Sequence, residues 1–248
     1  MEINKIYNED CLEGMKRIAD GSVDMILCDL PFGTTQCKWD TIIPFEPLWE
    51  QYKRVIKPNG AIALFGSEPF TSMLIVSNIK QFKYNWIWQK NRPTGFLNAK
   101  RQPLNDNEAI SVFYEKQCTY NPQMTVADKI YKYNAVTRAN SDCYGKQRKI
   151  KKIDTGKRYP KRIQYFNKIY TREQRHPTQK PVALFEYLIK TYTNPGELVL
   201  DNCMGSGTTA IACMNTQRNF IGFEIDKGYY DIACKRINNH KEETSGNQ

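Results

Sequence analysis

The chain reads as an α/β protein, a mostly parallel sheet covered by helices on both faces. Three features predict it: short, largely apolar runs, segments of helical period alternating with them, and proline- or glycine-marked turns closing them. Val23-Asp24-Met25-Ile26-Leu27-Cys28 is the first run, a buried strand ended by Asp29-Leu30-Pro31-Phe32. From Phe45 to Lys57, apolar residues at 45, 48, 49, 52, 55 and 56 predict a helix, with Pro58-Asn59-Gly60 as its stop. Ala61 to Phe65, Tyr84 to Trp88 and Ala109 to Tyr114 are three further strands. A stretch without clear period follows, and the α/β pattern resumes at His176. Pro181 to Tyr192 is a helix opened by proline in its first turn. Leu198 to Asp201 is a strand, and a glycine-rich turn then leads into a helix from Thr208 to Asn215. Phe220 to Glu224 is the last strand and Lys227 to Asn239 the last helix, with Lys241 to Gln248 expected to fray.

At 248 residues, 40% hydrophobic, the chain suits one α/β domain carrying an inserted lobe. The amino terminus lacks the pattern of a signal peptide, and no apolar run approaches the roughly 20 residues of a membrane span. A cytoplasmic protein with no membrane partner is expected. Eight cysteines form no C-x-x-C pair and only two histidines occur, His176 and His240, so no metal site is expected.

The net charge of +10 is local. Residues 117–175 hold 15 Lys and Arg against 4 Asp and Glu, leaving the other 189 residues near −1. Seven tyrosines, at 120, 131, 133, 144, 159, 165 and 170, interleave with that charge. A solvated, partly disordered insertion is one reading. A polyanion-binding lobe is the other, favoured because phosphate contact and base stacking use both residue types.

Two candidate sites lie at strand ends. Asp201-Asn202-Cys203-Met204-Gly205-Ser206-Gly207-Thr208-Thr209 follows a strand and opens a helix, where doubly wound folds bind ligands. Its glycines permit close approach and its free N–H groups favour a carboxylate, while the absence of G-K-[ST] disfavours a phosphate loop. Glu224, one strand–helix–strand unit later, is placed to meet ribose hydroxyls; a tight turn with a surface Glu is the plain alternative. At the other site, Asp29 could accept a hydrogen bond from an amino group, the Leu30 carbonyl a second, and Phe32 could stack on a flat ring. An Asp capping a proline turn is the bland reading there.

Together these motifs resemble the permuted, beta-class amino-methyltransferases of DNA. That family carries a D-P-P-Y-type catalytic motif, then a target-recognition region, then the glycine-rich cofactor motif. Here Asp29 to Phe32, the basic insertion and Asp201 to Thr209 stand in that order. His176-Pro177-Thr178-Gln179-Lys180-Pro181 looks like the motif ahead of the cofactor strand, and Asn8-Glu9-Asp10-Cys11-Leu12 like the segment lining the cofactor's adenine. Leu30, Phe32 and Cys203 depart from the family's usual proline, tyrosine and aromatic residue.

The resemblance implies a circularly permuted Rossmann-like methyltransferase sheet with an inserted basic target-recognition lobe. The catalytic domain would comprise residues 1–116 and 176–240, the lobe 117–175 and a flexible tail 241–248. It implies methyl transfer from S-adenosylmethionine to the N6 of a flipped-out adenine in double-stranded DNA, as in restriction-modification systems. Asp rather than Ser at position 29 resembles the adenine-type enzymes. Catalysis would fall to Asp29, Leu30, Pro31 and Phe32. The methionine end of the cofactor would meet Thr178, Lys180, Gly205, Ser206 and Gly207, within a turn that also brings Asp201, Asn202, Cys203 and Thr208. Its ribose would meet Glu224, and its adenine Asp10, Cys11 and Leu12; Asp29 would border it as well. Lys38, Arg92, Lys146, Arg148, Lys149, Lys151, Lys152, Arg158, Lys161 and Arg162 would bind nucleic acid. The loops Gly33 to Ile43 and Asn91 to Phe96 would close around the flipped base, or be ordinary surface loops. Cytosine-N4 methylation, RNA adenine methylation, a DNA-binding relative without catalysis and a nicotinamide-dependent oxidoreductase are the competing readings. The family includes dimers, and the sequence leaves a homodimer open.

Overall fold

An eight-stranded sheet is the frame of the fold, seen in a computed structural model that describes residues 1–33, 40–130, 135–136, 151–152, 154–167 and 179–245, with backbone alone at 135–136, 151–152 and 245. In chain order the elements are β1 (Lys5–Tyr7), α1 (Cys11–Met15), β2 (Val23–Cys28), α2 (Phe45–Val55), β3 (Ile56–Gly66), α3 (Phe70–Ser77), β4 (Phe82–Thr94) and β5 (Asn105–Phe113). Then follow β6 (Thr125–Val126), β7 (Ala135–Val136), β8 (Lys151–Lys152), β9 (Lys157–Arg158), β10 (Ile163–Tyr165), α4 (Val182–Tyr192), β11 (Leu198–Asp201), α5 (Thr208–Asn215), β12 (Asn219–Phe223) and α6 (Lys227–Ser245).

The sheet runs β1-β12-β11-β2-β3-β5-β4-β10. Neighbours are parallel from β1 through β3, β5 is antiparallel to β3 and β4, and β10 lies parallel to β4. From β11 the chain passes through α5 to β12 on one side; from β2 it passes through α2 to β3 on the other. The β11/β2 junction is therefore where the winding reverses, and the crevice beyond the carboxyl ends of those strands is where such sheets bind ligands.

Strand alternation divides the core into two layers. Met25, Leu27, Ala63, Phe65, Val199 and Phe220 pack under α4, α5 and α6, through residues such as Leu188, Ala212 and Ala233. Ile26, Cys28, Ile62, Leu64, Leu200 and Ile221 face α1, α2 and α3, through Met15, Leu48, Tyr52 and Leu74. Both faces are thus covered, which accounts for the largely apolar character of β2 and β11, broken only at Asp24 and Asp201.

Several expected boundaries move. Helix α2 ends at Val55, and Pro58-Asn59-Gly60 lies inside β3. Val23 pairs with Ile56 and Met25 with Ala61, so residues 57–60 bulge opposite Asp24. Turn-forming residues serve here as a bulge, and Gly60 is required because a Cβ would come within 2.8 Å of the Asp24 carbonyl. Pro181 occupies the cap position of α4, one residue before its first turn. Helix α6 continues past Asn239 to Ser245 on helix-favouring Lys and Glu residues. Strand β1 and helices α1 and α3 were not expected. Among the described residues no helix is long and apolar enough to cross a membrane.

The chain forms two compact units, Met1–Asn121 with Arg162–Gln248, and Pro122–Lys161. Within the second, β6 pairs with β9 and β7 with β8, both antiparallel. There Arg158 grips Asp154 through both guanidinium nitrogens, at 2.6 and 2.8 Å.

Candidate active site

Parallel pairing of Leu200 with Ile26 brings the carboxyl ends of β11 and β2 side by side, so the two motifs open onto one crevice. A cavity of about 770 Å³ fills it, within the range of small-molecule sites. It is lined by Asp10, Cys11 and Leu12, by Asp29 to Phe32, by Lys180, by Asp201 to Ser206, by Thr208, and by Glu224. Most of the expected cofactor and catalytic residues therefore share one wall-to-wall site. Of the expected cofactor residues Gly207 is not in the lining, and Thr178 lies outside the described residues, as do Lys38, Lys146, Arg148 and Lys149.

On the β11 side, the turn organises itself. Asp201 is buried; its carboxylate accepts from the Cys203 N–H at 3.0 Å and from the Thr209 hydroxyl. Burial pushes its pKa up to about 6 against those two hydrogen bonds. Gly207, at φ +84°, caps α5 so closely against α6 that a Cβ would come within 3.3 Å of the Ala233 backbone. Glu224 links turn and sheet, accepting from Gly205 N–H at 2.7 Å and from Asp226 N–H at 2.9 Å. Burial raises its pKa as well. Asn202 accepts from the buried Tyr52 hydroxyl at 2.5 Å, tying the turn to α2. Asp10 caps α1, accepting from Leu12 N–H at 2.8 Å and Glu13 N–H at 3.2 Å, which holds Cys11 and Leu12 against the cavity.

On the β2 side, Asp29 enters a chain of alternating charge. Lys180, 8% exposed, places its ammonium 2.7 Å from Asp29 Oδ2 and 3.0 Å from Glu108 Oε2. Lys90, 7% exposed, reaches Glu108 Oε1 at 3.2 Å. Burial raises the pKa of Asp29 and the Glu108 charge adds to it, while Lys180 pulls the other way. Burial acts likewise on Glu108, yet Lys180 and Lys90 overcome it and lower its pKa. Burial opposes the charge of Lys180, and its two carboxylate neighbours raise its pKa nonetheless. The second oxygen of Asp29, Oδ1, is buried with no hydrogen-bond partner among the described residues. Phe32 packs its ring 5.1 Å from that of Phe70 and lies 5.8 Å from the Lys180 ammonium. Asp40 accepts from the Gly33 N–H at 2.8 Å, which ties Asp40 to the residue that follows Phe32.

Sequence reading missed Glu108 and Lys90, because a carboxylate at the start of a buried strand signals nothing until Lys180, far along the chain, is placed beside it. Lys180, expected to meet the cofactor, lines the cavity with its ammonium held by Asp29 and Glu108. Arg92 lines the cavity, Arg162 stacks over Tyr84 at 5.7 Å, and Lys161 is exposed. Arg158 is engaged by Asp154, and Lys151 and Lys152 are seen only as strand β8.

A sequence model of the DNA methylase family, for N6 and N4 methyltransferases, matches residues 23–235. The type II methyltransferase M.HpaI of Haemophilus parainfluenzae is 27% identical over 94% of this chain and 74% of its own length. M.HinfI of Haemophilus influenzae is 28% identical over 95% and 68%. Among solved structures, the M1.HpyAVI–SAM complex superposes with a TM-score of 0.64 at 29% identity, over 94% of this chain and 98% of that one. PvuII DNA methyltransferase, cytosine-N4-specific, superposes with a TM-score of 0.66 over 95% of this chain and 90% of that one, and at 14% identity it shows the shared fold. With the family matched across most of the chain and both of its motifs opening onto one cavity, this protein belongs to the DNA methylase family.

Proposed function

We propose that the chain transfers a methyl group from S-adenosylmethionine to N6 of an adenine flipped out of duplex DNA, acting in the cytoplasm. The observation that carries this is Asp29, delivered by β2 to the crevice beside the β11 turn with one buried oxygen unpartnered among the described residues. An acceptor in that state suits a donor from the substrate.

The residues present fit the cofactor. The turn approaches the cavity at Gly205, φ +54°, where a Cβ would meet no atom within 4 Å, so the wall there is open. Cys11, Leu12 and Ile225 offer apolar surface, and Glu224 an acceptor for hydroxyls. S-adenosylmethionine, when bound, supplies an electrophilic methyl group. The chain's own contribution is to the nucleophile. The adenine amino lone pair is delocalised into the ring; donating its protons to Asp29 and to the Leu30 carbonyl draws electron density back onto nitrogen. Phe32 stacks on the base and fixes its plane. Asp29, its proton affinity raised by burial, takes up the proton that N6 sheds. Lys180 and Glu108 hold the Asp29 carboxylate in place. The unit Pro122–Lys161 carries the recognition of target sequence, and its cations meet phosphates.

Adenine, rather than cytosine, rests on Asp at position 29 and its likeness to the adenine-type motif. Labelled S-adenosylmethionine with mixed-sequence duplex DNA, followed by hydrolysis to nucleosides, tests it. The wild type should yield N6-methyladenine, and Asp29→Ala should lower the rate by at least about a hundredfold. N4-methylcytosine as the sole product would overturn the assignment of the base.

A further inference from the structure

The connection between β4 and β5 springs from the wall of the active-site cavity. Thr94 pairs with Asn105, and both line the cavity together with Arg92, Asp29 and Phe32. Beyond that pair the chain turns at Gly95, φ +90°, into a single 3-10 turn, Phe96–Asn98. Phe96 is 66% exposed and Leu97 fully exposed. Among the described residues they are the only two consecutive large apolar side chains left in solvent, and neither joins either core layer. Apolar surface at a binding-site rim marks something that will cover it. The charge around it says what. Arg92, Lys100 and Arg101 flank the turn, and no acidic residue occurs from Lys90 to Asn105. An apolar tip within a cationic collar matches a duplex, whose bases accept apolar side chains between them and whose phosphates attract the collar.

We propose that Phe96 and Leu97 form a wedge that enters the base stack beside the target nucleotide. There it occupies the space the departing base leaves and keeps the strand from closing while the base sits in the cavity. The inference rests on the reading that this chain methylates a flipped base in duplex DNA. It assigns the opening of the duplex to this turn, apart from the residues that hold the base once it is out. Arg92, at the foot of the turn, joins wedge and pocket in one wall.

The test uses the full chain and a duplex oligonucleotide carrying a site first mapped as methylated by the wild type in mixed-sequence DNA. One version is fully paired; in the other, the target base faces a mismatch and is already loosened. The Phe96→Ala/Leu97→Ala double variant should methylate the paired duplex roughly tenfold more slowly than wild type, about 1.4 kcal/mol of barrier. On the mismatched duplex it should recover to near the wild-type rate. Equal loss on both duplexes, or no loss on either, overturns the wedge. Absence of any methylated base from the wild type overturns the underlying reading, and the wedge with it; the two failures are told apart by the wild-type arm alone.

Discussion

Asp29 gathers its properties from two other side chains, Lys180 and Glu108, and each leaves a separate signature. Its carboxylate must be ionised to accept amino protons, so activity should fall as pH drops through its pKa, which lies above the ordinary carboxylate value. Lys180 lowers that pKa and Glu108 raises it. Lys180→Met should therefore move the acid limb of kcat/KM to higher pH, and Glu108→Gln to lower pH. A pH–rate profile of each variant checks this, and a purely structural role for the pair would not move the limb in opposite directions. Lys180→Met also leaves the Asp29 carboxylate without its cationic partner, while Glu108 keeps Lys90, so a loss of roughly 3–5 kcal/mol in chemical denaturation should accompany it. The residues of this site were unevenly legible. Asp29, Gly205 and Glu224 announced themselves because each sits in a short run whose spacing has a chemical reason. Glu108 did not: its partner Lys180 is 72 positions away, and only the sheet brings them within 3.0 Å.

Among the elements, the β11 turn and α5 carry the tightest constraint. Gly207 holds a left-handed conformation at the helix cap and stands against the Ala233 backbone. Gly207→Ala should cost about 1–2 kcal/mol for the backbone alone, with more for the displaced α6, and should weaken cofactor binding; thermal unfolding and calorimetry read the two effects. Elements buried on both faces, β2, β11 and α5, were readable because their apolar runs have one explanation. Pro58-Asn59-Gly60 misled, since the same residues build a turn or a bulge, and only pairing of β3 with β2 decides between them. Helices α1 and α3 escaped notice, being one to two turns long with little periodicity to read.

At the scale of the molecule, the unit Pro122–Lys161 is compact in itself and distinct from the domain that holds the cavity. Replacing it with a short Gly-Ser bridge between Asn121 and Arg162 should leave S-adenosylmethionine affinity intact and weaken duplex binding. The slope of log K against log salt should flatten by about 0.9 for each phosphate that the shortened chain no longer neutralises. Composition marked a wider stretch, residues 117–175, through its concentration of Lys, Arg and Tyr, and the two-stranded pairs of this unit were invisible in so irregular a sequence. The sheet order has one more consequence, for biosynthesis. Strand β2 is synthesised well before its parallel neighbour β11, which follows some 170 residues later, Val199 meeting Met25. Until then one edge of β2 leaves its backbone N–H and C=O groups unpaired, and the nascent chain is exposed to sticking to its neighbours. Pairing across so long a separation also makes completion of the sheet slow, so a chaperone that shelters unpaired strands during translation should raise the yield of this protein more than one acting after release.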